Sequence, residues 1–313
     1  MHPQLIELEK KFNPSLLTAI HSPLLEQKQI ELWVKRDDLI HPVISGNKWR
    51  KLKYILDHAI TINCHTIISM GGAYSNHLHA LAFAGKQLGL KTIGYIRGER
   101  PESLSPTLLD IQNWGMELRF ISRAEYRELR NYKKYNELPA HYLKKSQYGQ
   151  YWLPEGGATE LALLGVGELV SGIDMAYDVL CVPCGTGTTL AGIVSSAPAH
   201  CMVHGFSALK GADFLIKDVE KLIYEFSNNN KINWTIQLEY HFGGFAKRNN
   251  ELLLFIEDFA EQHGVELEPV YTGKMFYGLF DLIKQDFFKP GQRIIAIHTG
   301  GLQGKRKQLN RQP

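Results

Sequence analysis

The sequence predicts an α/β protein with mainly parallel sheets. Three observations predict it. Short β-branched runs recur at 66–69, 91–96, 117–121, 179–183, 202–206 and 293–298. Longer amphipathic runs of helical period lie between or beside them, at 47–59, 75–88, 159–172, 188–195, 214–226, 251–263 and 275–287. Each of these is bordered by Gly, Ser, Thr, Asn or Pro, the residues that start and stop helices. Strands that alternate with helices close most simply as parallel pairs joined by crossovers. No repeat of fixed period is present. The stretch 131–151, rich in Tyr, Lys and Asn, has little periodicity and reads as surface or as a connection between domains. The Gly-rich return Leu153-Pro154-Glu155-Gly156-Gly157-Ala158 then opens a new αβ unit.

A chain of 313 residues, 44% hydrophobic and 21% charged, is large enough for one large or two modest domains. Its 35 basic and 32 acidic residues leave a formal charge of +3 with no sustained basic run, so no nucleic-acid footprint is expected. Lys305-Arg306-Lys307 reads as a solvated terminus. No run approaches the roughly 18 apolar residues of a membrane span, and residues 1–10 lack the pattern of a signal peptide. Cys64, Cys181, Cys184 and Cys201 form no disulfide framework, and reduced thiols fit a cytoplasmic address. The thirteen histidines include no His-Glu-x-x-His pair, so no metal is expected.

Three segments carry chemistry. In Ser45-Gly46-Asn47-Lys48-Trp49-Arg50-Lys51-Leu52-Lys53 a Gly turn opens a helix with Lys48 in its first turn. The positive end of the helix dipole lowers an amine's proton affinity and favours the neutral nucleophile. The alternative reading is a basic helix with its lysines in solvent. In Val179-Leu180-Cys181-Val182-Pro183-Cys184-Gly185-Thr186-Gly187-Thr188 a buried strand runs through a Gly/Thr turn into a helix, a cradle for a phosphate. It has neither the Gly-Lys-Ser/Thr ending of a nucleotide loop nor Gly-x-Gly-x-x-Gly spacing, which favours a cofactor phosphate over ATP or NAD. Gly71-Gly72-Ala73-Tyr74-Ser75-Asn76-His77 offers backbone N–H groups, a hydroxyl and an amide to a carboxylate, or forms a plain helix cap.

Taken in order, these segments resemble the family of 1-aminocyclopropane-1-carboxylate deaminases and D-cysteine desulfhydrases, which depend on pyridoxal 5'-phosphate (PLP). The resemblance also rests on Lys35-Arg36-Asp37-Asp38, Pro154-Glu155-Gly156-Gly157, Glu268-Pro269-Val270-Tyr271-Thr272-Gly273-Lys274 and His298-Thr299-Gly300-Gly301. It implies fold type II, with two three-layer αβα domains. The larger, PLP-binding domain is expected from 1–49 and 157–313, with the smaller αβ domain inserted at 50–156. It also implies a homodimer acting on a small amino acid.

By position, Lys48 is expected to carry PLP as a Schiff base and then to act as general base. Asn76 is expected at the cofactor's phenolic oxygen, and Cys184, Gly185, Thr186, Gly187 and Thr188 at its phosphate. Ser75, Asn76 and His77 are expected to gather the substrate carboxylate, with Tyr271 close to the substrate and the reacting carbon, and Ser75 and Tyr271 join Lys48 as the expected catalytic residues. Thr272 stands where the family contacts the pyridine nitrogen. Deaminase members resemble one another in carrying Glu there, so an uncharged threonine points to β-elimination. His77 in Ser-Asn-His points the same way. Tyr74 replaces a glutamine, and Phe245 replaces a second active-site tyrosine. The expected activity is conversion of D-cysteine or a related β-substituted amino acid to pyruvate, ammonia and sulfide. The alternatives are deamination of 1-aminocyclopropane-1-carboxylate to 2-oxobutanoate and ammonia, and a PLP-binding protein without turnover.

Overall fold

Strands from both ends of the chain pair into one sheet, and strands from its middle form another. The computed structural model describes residues 1–142, 149–227 and 231–307. The strands are β1 (Leu17–Ile20), β2 (Glu31–Lys35), β3 (Thr66–Gly71), β4 (Lys91–Arg97), β5 (Glu117–Ile121), β6 (Gln150–Leu153), β7 (Val179–Cys184), β8 (Met202–Ser207), β9 (Trp234–Gln237) and β10 (Arg293–Ile297). Among the described residues the larger sheet has the order β1-β2-β10-β7-β8-β9 and the smaller β5-β4-β3-β6. Only the β1–β2 pair is antiparallel among them.

The helices are α1 (Pro3–Glu9), α2 (Pro23–Lys28), α3 (Asn47–Thr61), α4 (Asn76–Leu88), α5 (Pro106–Asn113), α6 (Arg123–Leu129), α7 (Glu160–Ser171), α8 (Thr188–Ser196), α9 (Phe214–Ser227), α10 (Asn250–His263) and α11 (Thr272–Lys284). They cover both faces of each sheet, as the pleat dictates. On β10, Ile294 and Ala296 point to one side with residues of α2, α10 and α11, whereas Ile295 and Ile297 point to the other with α7, α8 and α9. On β3, Ile67 packs with α3, α4 and α5, while Ile68 and Met70 pack with Tyr126 and Leu129 of α6. The result is two three-layer αβα stacks, as expected.

Most segments fall where the sequence places them, but α11 starts at Thr272 rather than 275. The Glu268 carboxylate accepts from the backbone N–H groups of Val270, Tyr271 and Thr272, at 2.7, 2.8 and 2.7 Å, and so caps the helix a turn early. Within 131–151, short 3-10 turns lead into β6, while residues 143–148 lie outside the described part. Arg306 is exposed, as expected of a solvated terminus, but the Lys305-Arg306 segment is docked rather than free. Lys305 pairs with Glu266, and Arg306 with Asp110 at 2.6 Å, because a 3-10 turn at Leu302–Lys307 folds the segment back onto α5.

Parallel sheets place functional loops at the carboxyl ends of their strands. The loops after β2, β3, β6, β7 and β10 hold the quoted motifs other than the one at the head of α11.

Candidate active site

Buried ion pairs fix the loop that delivers Lys48. Asp37 receives both arms of Arg50, at 3.0 and 3.1 Å, and Asp38 receives Arg36 at 2.9 and 2.7 Å. The side chains of Asp37 and Asp38 have no exposure, so these bidentate pairs replace lost hydration. The loop then passes Gly46, whose φ of +64° and approach to the carbonyl of Thr299 admit no side chain: a Cβ would stand 1.9 Å from that oxygen. This crossing sets Asn47 and Lys48 at the head of α3.

Lys48 is half-buried, and its Nζ donates to Asn47 Oδ1 at 2.6 Å. Asn47 Nδ2 in turn donates to Thr189 Oγ1 at 2.9 Å, tying the lysine to α8. Burial pushes the amine down to about 8, against the opposing charge of Glu268. The solvated-helix reading fails for the whole segment. Lys51 and Lys53 are buried, Lys53 on Glu9 and Glu168 and Lys51 with Gly156 O, at 3.2 Å, as its single acceptor among the described residues. Burial, together with the charge of Lys48, holds the Lys51 amine well below its usual range.

The turn Cys184-Gly185-Thr186-Gly187-Thr188 sits beside it. Gly187 has φ +75°, which only glycine adopts readily, and it aims the loop into α8. The hydroxyls of Thr186 and Thr188 lie 3.1 Å apart, and a Cβ on Gly156 would stand 3.2 Å from Thr186. Cys184 contributes its backbone: the thiol is buried among apolar neighbours and pushed up to about 12, which leaves it a protonated, inert sulfur. Tyr271 closes the turn, since a Cβ on Gly185 would come 3.1 Å from its ring. Burial and Glu268 raise the proton affinity of its hydroxyl.

At the head of α4, Ser75 Oγ accepts from Leu78 N at 3.2 Å and keeps its own proton to donate. The first backbone bond of this turn is His79 N to Ser75 O, so the N–H groups of Asn76 and His77 precede the ladder. The His77 side chain turns away from that end. Ser69 Oγ donates to Leu153 O at 2.7 Å and so accepts from His77 Nε2 at 2.8 Å. Nδ1 is therefore a lone pair, buried and without a partner. Burial, with Lys48 and Lys51 nearby, pushes this imidazole down to about 3, and a neutral acceptor cannot bind a carboxylate. His77 has its backbone N–H, not its ring, to offer.

At the other wall, Thr272 Oγ1 accepts from Glu268 N at 3.0 Å, and its own proton has only long contacts, 3.3 and 3.4 Å, within the cap. Two residues on, the buried Lys274 donates to the carbonyls of His241 and Gly244, at 2.8 Å each. It thereby pins the loop whose Phe245 stands edge-on to Tyr271, 5.9 Å between centroids. Lys48, Asn76, Ser45, Thr299 and Gly301 line one cleft.

Comparisons with known proteins give the family. A family model described as pyridoxal-phosphate dependent enzyme matches residues 17–300. The chain belongs to that family. It is 32% identical to a bifunctional D-cysteine desulfhydrase/1-aminocyclopropane-1-carboxylate deaminase of Arabidopsis thaliana, over 88% of this chain and 73% of that one. It is 27% identical to a D-cysteine desulfhydrase of Klebsiella pneumoniae, over 87% of each. A crystal structure described as an ACC deaminase homologue superposes with a TM-score of 0.81 at 29% identity, covering 97% of both chains. The fold is accordingly fold type II of the pyridoxal-phosphate-dependent enzymes, and the cofactor is PLP.

The residues fit that cofactor. Lys51 is a buried amine bonded to one carbonyl beside two hydroxyls and a helix N-terminus, a set of donors suited to an anion. Sequence reasoning missed Lys51 because it shares a lysine-rich helix with Lys48 and Lys53, and its burial depends on Gly156, distant in the chain. Glu268 was visible inside a quoted motif, yet its role as a cap shows only in the structure. Gln303 lies in no motif at all.

Proposed function

We propose that the protein is a lyase carrying out α,β-elimination on D-cysteine or a related β-substituted amino acid, with release of pyruvate, ammonia and sulfide. The observation that carries this reading is the wall at the head of α11. Its buried carboxylate, Glu268, is committed to three backbone N–H groups, so a pyridine nitrogen at this wall would meet the Thr272 hydroxyl rather than a free carboxylate. A hydroxyl leaves the ring uncharged, which suffices when sulfide departs but weakens the sink that cyclopropane opening needs.

Bound PLP supplies the electron sink for a carbanion at the substrate's Cα. Lys48 would anchor it, and its free amine would take the Cα proton at Nζ. With its proton affinity set near 8, about a tenth of that amine is neutral at pH 7. The hydroxyl of Ser75 and the N–H groups of Asn76 and His77 hold the carboxylate, aided by the α4 dipole. Gly185 to Thr188, with Lys51, hold the phosphate. Tyr271 keeps its proton and can donate a hydrogen bond beside the reacting carbon, while Phe245, half exposed, has no hydroxyl to offer.

The relatives' names favour a second reading, deamination of 1-aminocyclopropane-1-carboxylate, because one of them carries both activities. Purified protein given each compound separates the two. Sulfide and pyruvate from D-cysteine, with no 2-oxobutanoate from the cyclopropane, is the expected result; the reverse pattern overturns it. The same reading takes 1–49 with 157–313 as the larger domain and 50–156 as the inserted one. It places a homodimer in the cytoplasm, to be tested by sedimentation and by fractionation. Every strand of the smaller sheet lies within 50–156, and all four cysteines are free and buried. No helix among the described residues is long and apolar enough to cross a membrane.

A further inference from the structure

A side-chain amide looks the same from either end unless its partners decide which atom faces where. For Asn76 this choice matters, because Nδ2 donates to a phenolic oxygen and Oδ1 repels it. The decision is made by Gln303, which lines the same cleft, and by the residues that hold its far end. Asp110, on α5, is ionised: burial works against its charge, but Arg306 and His79 outweigh burial and hold the carboxyl below its usual range. It accepts from Arg306 Nη2 at 2.6 Å and meets His79 Nε2 at 3.0 Å. A guanidinium has donors only. Arg306 Nη2 also reaches the Gln303 side chain, 3.2 Å from Oε1, so this end of the amide must be the oxygen. Thr107 Oγ1 donates to the same oxygen at 2.8 Å.

The other end of Gln303 is then the NH2, and it donates to Asn76 Oδ1. Asn76 Nδ2 is left pointing the opposite way, toward Gly301, where a Cβ would stand 3.2 Å from it and 3.5 Å from Glu268 Cγ. That is the cleft it shares with Lys48. The orientation follows from the donor-only chemistry of Arg306, not from how the amides are drawn.

We propose that Gln303 is a positioning residue for the cofactor: locked by Arg306 and Thr107, it turns the Asn76 amide so that its N–H faces the phenolic oxygen. The inference rests on the PLP reading above and adds a residue outside all the recognised motifs. It also gives the folded-back 302–307 turn a task, carrying a contact from the α4–α5 layer into the cleft.

The decisive variant is Gln303→Glu. It keeps an oxygen for Arg306 and Thr107, so the turn stays docked, but presents an acceptor to Asn76 and flips its amide. Gln303→Leu removes both contacts. A donor at the phenolic oxygen lowers that oxygen's hold on the proton it shares with the Lys48 nitrogen. Losing the donor therefore raises the pH at which the visible band of the bound cofactor is lost. The expected shift is upward by about one pH unit, tenfold in proton affinity, for both variants and at least as large for Glu as for Leu. Apoprotein titrated with PLP should also bind it several-fold more weakly in both. A merely structural turn predicts the wild-type profile for Glu and a change only for Leu, which would overturn the inference. An unshifted band in both variants overturns it as well. A wild type that forms no visible band with PLP overturns the cofactor reading first, and the inference with it.

Discussion

The two ends of the cleft are built on opposite electrostatic plans. At the phosphate end, Lys51, the Thr186 and Thr188 hydroxyls and the head of α8 converge, with no carboxylate among the described residues bonded to any of them. At the ring end, the one buried carboxylate is turned into a helix cap, and the groups left over are a hydroxyl, Thr272, and an amide, Asn76. One end is a charge-hungry grip, whereas the other is a neutral surface tuned by single hydrogen bonds. Binding strength should therefore come from the first, and choice of chemistry from the second.

Lys48 stands between the ends, and its removal has the largest effect. Lys48→Ala should lower turnover by about 10³-fold or more, since covalent anchor and base are lost together, while leaving phosphate-end affinity in place. Turnover within tenfold of wild type would break the assignment. Lys51→Met tests the grip itself. Loss of a charge-assisted contact worth about 1.5–3 kcal/mol predicts PLP binding weaker by about 10–100-fold in a fluorescence titration, with substrate preference unchanged. The apoprotein should lose no thermal stability, because a buried amine with one acceptor is a poor contributor to the fold.

Thr272→Glu sharpens the contrast from the other side. A carboxylate near the pyridine nitrogen should change the ratio of cyclopropane deamination to D-cysteine elimination by about tenfold toward deamination, with PLP affinity changed far less. Equal loss of both activities would mean that the ring end does not set the chemistry. The pH dependence of cofactor capture reports on Lys48 directly. Its amine sits near 8, below the ordinary lysine value, so the reactive neutral form grows as pH rises to about 8 and is nearly complete one to two units above. The rate at which apoprotein gains the visible band should climb through that window and level off well short of a solvent lysine. Phe245→Tyr should have the smallest effect, a few-fold change in KM or kcat, since its ring touches the cleft only through the edge-on contact with Tyr271.

Much of this was legible in the sequence. Long amphipathic helices and buried strands announce themselves by periodicity, and Lys48, Gly187 and Ser75 sit in local motifs whose geometry is short-range. The missed strands are short: β1, β2, β6 and β9 have four or five residues, and β9 is half-buried throughout, so no clean alternation marks it. The start of α11 moved because a side chain, not a backbone propensity, ends its first turn. Lys51 and Gln303 escaped for a common reason. Each is defined by a partner more than a hundred residues away, Gly156 for one and Asn76 for the other, and no local pattern encodes such a contact. The Ser-Asn-His motif draws attention to His77, yet only the Ser69–Leu153 relay shows that its ring turns away.

The central claim is that the two lysines one helical turn apart divide the work, Lys48 bonding the cofactor and Lys51 gripping its phosphate. Borohydride reduction of the holoenzyme followed by peptide mapping tests it most directly. The account predicts a single reduced pyridoxyl group on Lys48, with Lys51 unmodified; a label on Lys51, or on neither lysine, would contradict it.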